Sequence, residues 1–127
     1  MENNYTPEQL DNIESVLAED LIEAGANSVI FLDRAGNIIA KSDNGHCNHD
    51  VYSLAALGAG NFGVVNAMAN IVGEDEFSLL FHKGQKESLH FTKVNEESLL
   101  ITIFGKEVSL GFLRLKVAEA IKKIINA

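Results

Sequence analysis

A single cysteine, Cys47, stands in the 127 residues, so no disulfide can close within the chain; that usage agrees with a reducing compartment. Although 46% of the residues are hydrophobic, no run approaches the roughly 18 apolar residues a bilayer span needs, and no membrane insertion is expected. The opening Met1-Glu2-Asn3-Asn4 has no basic region ahead of an apolar one. No secretion signal is therefore expected, and a cytoplasmic location is. Basic residues are scarce: 10 Lys and Arg against 18 Asp and Glu give a net charge of −8. A phosphate backbone needs a concentrated basic surface, so a nucleic-acid role is excluded. The length suits one domain, residues 1–127, able to bury a core without disulfide or metal support.

What charge there is falls unevenly. Glu2, Glu8, Asp11, Glu14, Glu19, Asp20 and Glu23 all precede the first basic residue, Arg34. The last segment reverses this, with Lys106, Arg114, Lys116, Lys122 and Lys123 against Glu107 and Glu119. Either these are two solvated helix faces, or the terminal helices lie together and opposite charges help to orient them.

Thr6-Pro7-Glu8-Gln9 reads as a helix start, with Thr6 as cap, Pro7 in the first turn and Gln9 closing a capping box. Leu10, Ile13, Leu17, Leu21 and Ala24 follow at helical spacing, and Gly25 offers a stop. Residues 28–32 are short, apolar and β-branched, a strand buried on both faces. Asp33-Arg34-Ala35-Gly36-Asn37 supplies a turn, and 38–42 returns as a second strand. A polar loop, 43–50, leads to a helical pattern over 51–72, where Leu54, Leu57, Val64, Met68 and Ile71 form the face expected to serve the sheet. Ala56, Gly60, Gly63 and Ala67 form a second stripe of small residues. Strand-like runs at 77–81, 88–94 and 98–104 precede a last helix over 109–127, with Leu110, Leu113, Val117, Ile121 and Ile124 facing inward. The order αββαβββα implies an antiparallel five-stranded sheet with helices on both faces. A parallel doubly wound fold is disfavoured because it needs a crossover between successive strands.

Several motifs invite a chemical reading. Gly58-Ala59-Gly60-Asn61-Phe62-Gly63 matches GxGxxG, but a dinucleotide site needs that motif directly after a strand and opening a helix. Here it falls inside a helix, where main-chain N–H groups are already engaged, so no cofactor is expected. Glycine inside a helix costs about 1 kcal/mol relative to alanine. The small stripe is explained either by close packing on the chain's own sheet or, as we favour, by contact with another helix or partner. His46, Cys47, His49 and Asp50 share a loop and could form part of a metal site. A structural zinc site draws four ligands from two separated pairs, though, and a polar loop is the default. If the turn at Lys83–Lys86 has two or four residues, His82 pairs with Glu87 and His90 with Leu79. The two histidines then point to opposite faces and cannot easily join one site. No GxSxG, HExxH, paired-cysteine or GxxxxGK[ST] motif occurs. The chain is expected to have no active site and not itself to be a GTPase.

The element order resembles the Roadblock/LC7 (profilin-like) family over nearly the whole chain. Within it, Asp33-Arg34-Ala35-Gly36-Asn37-Ile38, Ser53-Leu54-Ala55-Ala56-Leu57 and Ala59-Gly60-Asn61-Phe62 are similar to a bacterial branch, the MglB-like proteins. So are Gly73-Glu74, Glu76-Phe77, Phe81-His82-Lys83-Gly84 and Ser109-Leu110-Gly111-Phe112-Leu113-Arg114-Leu115. The resemblance implies a homodimer in which the third strand, Phe77, Ser78, Leu79, Leu80 and Phe81, pairs with its copy across a dyad while the two middle helices lie side by side. It implies a partner-binding surface on the middle helix, at Ala56, Ala59, Gly60, Gly63 and Ala67. Proteins of this branch act on a small Ras-like GTPase, MglA, favouring GTP hydrolysis and helping to set cell polarity. The implied mechanism holds the GTPase switch regions in a competent arrangement, with the catalytic side chains belonging to the GTPase. Arg34 and Arg114 are the candidates for an arginine finger, an unfavoured role because one is a turn residue and the other sits in a helix. The competing expectations are a Roadblock/LC7 adaptor that binds without activating, and a small-molecule or metal sensor.

Overall fold

In a computed structural model of the protein, residues 5–46, 48–74 and 79–127 are described. Thr6 starts the first helix through the reciprocal box its sequence suggests. Its Oγ1 accepts from the Gln9 main-chain N–H at 3.1 Å, and the Gln9 side chain accepts from the Thr6 N–H at 2.9 Å. The helix, α1 (Pro7–Val16), continues into a π-helical stretch, Leu17–Ile22, and ends where Gly25 takes a φ of +116°. Then come β1 (Ala26–Asp33), β2 (Ile38–Asp43), α2 (Val51–Ile71), β3 (Leu79–Lys83), β4 (Glu87–Asn95), β5 (Ser98–Gly105) and α3 (Leu110–Ile125). The strands form one antiparallel sheet in the order β2-β1-β5-β4-β3. The αββαβββα order and the five-stranded antiparallel sheet flanked by three helices agree with the sequence expectation.

Alternation along the central strands divides the core in two. Val29 and Phe31 of β1, with Leu100 and Phe104 of β5, face α1 and α3 and pack on Ile13, Leu17, Leu21, Leu113 and Val117. Ile30, Leu32, Leu99 and Ile101 face the other way, toward α2. Every residue of β5 is buried, because this strand has neighbours on both edges and helices on both faces. The β1–β2 turn is held by a buried acid. Asp33 accepts from the Ala35 and Asn37 main-chain N–H groups and from Asn37 Nδ2, at 2.9–3.1 Å, which satisfies its charge inside the protein.

Of the two readings of the terminal charges, packing together holds for one pair. Lys123 on α3 meets Asp20 in the π-helical stretch at 2.9 Å. Glu8, Asp11, Glu14, Glu19 and Glu23 remain on exposed faces.

Three expectations are corrected. Leu57, Val64, Met68 and Ile71 do not serve the sheet: they are 72%, 61%, 57% and 84% exposed. The sheet presents large side chains to α2, so the helix can approach only with Ala55, Gly58, Ala59, Phe62 and Ala69 underneath. A β-carbon at Gly58 would stand 2.7 Å from Ile101 Cδ1. Ala59, expected on the partner surface, is therefore buried against the chain's own sheet. The β3–β4 register is also displaced by two residues, with His82 opposite Leu89 and His90 opposite Phe81. An even shift preserves side-chain faces, so the two histidines still point apart. His82 meets the Phe91 ring edge-on at 5.7 Å, in the layer beneath α2, while His90 lies on the α3 side. Lastly, β3 runs two residues beyond Phe81; Phe77 and Ser78 lie outside the described residues.

A candidate partner-binding surface on the middle helix

Across its 21 residues α2 carries no charged side chain. Asp50 begins it, accepting from the Ser53 N–H at 3.1 Å and from Ser53 Oγ at 2.7 Å, and these bonds hold its carboxyl below the usual range. A helix that is apolar all round is normally buried all round. By length and composition, and against the sequence expectation that no stretch approaches a span, α2 would even suffice to cross a bilayer. Yet it packs by one face only.

The bare face is apolar and uneven. Leu57, Val64, Met68 and Ile71 project from it, and Ala56, Gly60, Gly63 and Ala67 lie exposed beside them. Nothing lies within 4 Å of the β-carbon positions of Gly60 and Gly63. Packing on the chain's own sheet thus accounts for Gly58 and not for the other two glycines. Four of the five small residues expected at a partner surface are brought together outward, and Ala59 is not. The large side chains of the same face were missed by reading the Leu/Val/Met stripe as core. Their signal was present in the sequence, in the lack of any charge to mark a solvent side.

At one side the sheet ends in β3, which pairs with β4 alone among the described strands. Leu79, Leu80 and Phe81 belong to it, so the expected dimer strand is an edge of the sheet. An open edge offers a row of unpaired main-chain groups to another strand.

The remaining candidates fall elsewhere. The Arg34 guanidinium lies over the buried Phe62 ring at 5.5 Å, packed rather than extended as a finger would be. Arg114 is on α3, across the sheet from α2, and its charge together with burial lowers the pKa of His90 to about 4, with burial the larger cause. In the 43–50 loop, His49 Nε2 meets Glu87 Oε1 at 2.8 Å, and Asn27 Nδ2 donates to Glu87 Oε2 at 3.0 Å, tying the loop to the sheet. Asp50 is spent as the helix cap, and Cys47 lies outside the described residues. Among the described residues no three His, Cys, Asp or Glu side chains converge as metal ligands. Gly58 and Gly60 sit on opposite sides of α2, one buried and one exposed, so the GxGxxG match makes no loop around a phosphate.

Comparison with known proteins matches residues 13–104 to the Roadblock/LC7 domain family. Among solved structures, Myxococcus xanthus MglB is 33% identical with a TM-score of 0.88, over 98% of this chain and 92% of that one. The gliding protein MglB of Thermus thermophilus is 26% identical with a TM-score of 0.89, over 99% and 96%. Acanthamoeba castellanii profilin II shares the fold at 17% identity and a TM-score of 0.63, over 89% and 96%. None of the curated proteins matches significantly.

Proposed function

Since the chain belongs to the Roadblock/LC7 family, we propose that it is a regulatory protein without an active site of its own, a cytoplasmic homodimer that binds a small Ras-like GTPase of the MglA kind and promotes GTP hydrolysis, in bacterial cell polarity or motility. The observation that carries this reading is the bare apolar face of α2, on a sheet that ends at the β3 edge. A face with Leu57 and Ile71 more than two-thirds exposed is the kind of patch that marks an interaction site on a soluble protein. Pairing β3 with a second copy would close the edge and set two α2 helices side by side, each covering part of the other. The glycines at 60 and 63 admit a backbone at close range. What remains of the joint surface is the seat for the GTPase.

The mechanism is differential binding. A platform shifts a switch only by as much as it prefers one state, each tenfold preference corresponding to about 1.4 kcal/mol. Here the platform would favour the switch arrangement that positions water, while the GTPase supplies the catalytic side chains. The packing of Arg34 on Phe62 agrees with a mechanism that inserts no arginine from this chain.

The test combines light scattering with single-turnover hydrolysis. The protein alone should scatter as a dimer and should capture the GTPase loaded with a GTP analogue in preference to the GDP form. Added to the GTP-loaded enzyme it should raise the hydrolysis rate. Gly60→Arg should abolish capture while leaving the fold intact, because its β-carbon position is open. Capture with an unchanged rate would reduce the protein to an adaptor; a monomer that ignores both nucleotide states would sink the proposal.

A further inference from the structure

On the α3 side of the sheet, away from α2, an open trough of about 1180 Å³ lies between the ends of β3 and β5 and the start of α3. Its floor is aromatic, Phe81 stacked on Phe104 with centroids 6.0 Å apart and planes at 23°, and Leu110 extends it. Lys83 and Lys106 stand on its rim. We propose that this trough is a docking site for an acidic peptide segment of a partner protein, anchored by an apolar side chain on the Phe81–Phe104 floor and held by Lys83 and Lys106.

Charge is the first argument. Acids outnumber bases 18 to 10 in the chain, yet among the described residues no Asp or Glu lines this trough. Both lysines are exposed, and neither has an ion pair among the described residues. Of the six other lysines, three are paired: Lys93 with Glu96, Lys116 with Glu119 and Lys123 with Asp20. Two unpaired cations thus flank an apolar floor on an acidic protein, and the acid that adjoins the lining is Glu107, whose carboxylate lies against Gly105. The trough also ends at the first turn of a 16-residue helix, whose unbonded N–H groups add to the preference for negative charge.

Size selects the class of occupant. Small-molecule sites are clefts or cavities of roughly 300–1,000 Å³; at about 1180 Å³ this trough has room for an extended segment. A flat anionic membrane would not reach a concave floor, and a net charge of −8 would oppose its approach. Because α2 packs on the other face, a peptide here would leave the α2 surface free. The protein would then join two partners at once.

The probe is a phage-displayed library of random ten-residue peptides, selected on the intact protein. Selected sequences should be rich in Asp and Glu around one aromatic or aliphatic residue. Lys83→Glu with Lys106→Glu should weaken a selected, labelled peptide at least tenfold in fluorescence anisotropy, with the urea midpoint unchanged. Gly60→Arg, which removes the proposed GTPase contact, should leave peptide affinity as it was, so failure of one proposal does not imply failure of the other. Selection without an acidic consensus, affinity that survives the double charge reversal, or binding lost only in Gly60→Arg would each overturn the site. Lysine-dependent binding to phosphatidylserine vesicles without peptide binding would also overturn it.

Discussion

Three glycines in one helix have two kinds of surroundings, which permits a test within a single element. Glycine to alanine inside a helix gains about 1 kcal/mol from backbone entropy when nothing else changes. At Gly60 and Gly63 nothing lies within 4 Å of the added carbon, so each variant should stabilise the isolated subunit by about that amount. At Gly58 the added methyl would meet Ile101 Cδ1 at 2.7 Å and Phe91 Cε2 at 3.1 Å. Overpacking of this kind costs about 1–3 kcal/mol, which cancels or reverses the gain. Gly58→Ala should therefore rank below Gly60→Ala and Gly63→Ala by about 1–3 kcal/mol in urea denaturation. Measurement at two protein concentrations separates subunit stability from association, since a dimer's midpoint rises with concentration. If Gly60 and Gly63 admit a second helix, their alanine variants should also dissociate more readily while each subunit is more stable. Equal stability for all three variants would refute the packing argument. Lower subunit stability for Gly60→Ala would refute the claim that its outward side is empty.

The remaining predictions concern the core, the turn and pH. Phe62→Ala removes a fully buried ring from the α2 layer and the surface on which Arg34 rests, and should lose about 3–5 kcal/mol in denaturant titration. Gly36 holds a φ of +92°, and a β-carbon there would come within 2.9 Å of Ala56 Cα, so Gly36→Ala should destabilise the fold by more than about 1 kcal/mol in the same assay. His90 is buried and its pKa is lowered from 6.5 to about 4. The unfolded chain then binds a proton that the folded chain refuses, so this stability is complete above pH 6.5 and is lost as pH falls toward 4. Discounted for screening, the loss is about 2 kcal/mol. The difference between wild type and His90→Leu, followed by urea midpoints across that range, should show it; parallel curves would refute it.

Local chemistry determined much of this protein. The Thr6 box, the Asp33 turn and alternation along the central strands depend on neighbours in the chain, and each is legible where it stands. Alternation also foretold that His82 and His90 face apart, although their pairing differs by two residues, because strand faces depend on parity and not on exact register. The orientation of α2 was decided only by tertiary structure. From Val51 to Ile71 no charged residue marks a solvent side, so a stripe of large residues and a stripe of small ones were equally able to face inward. The choice came from strands far away in sequence. Ile101 and Phe91 stand so high beneath Gly58 that only small residues, with Phe62, fit against them, and Leu57, Val64, Met68 and Ile71 are turned outward. Helical spacing says which residues share a face; the shape of the opposing surface decides which face is buried.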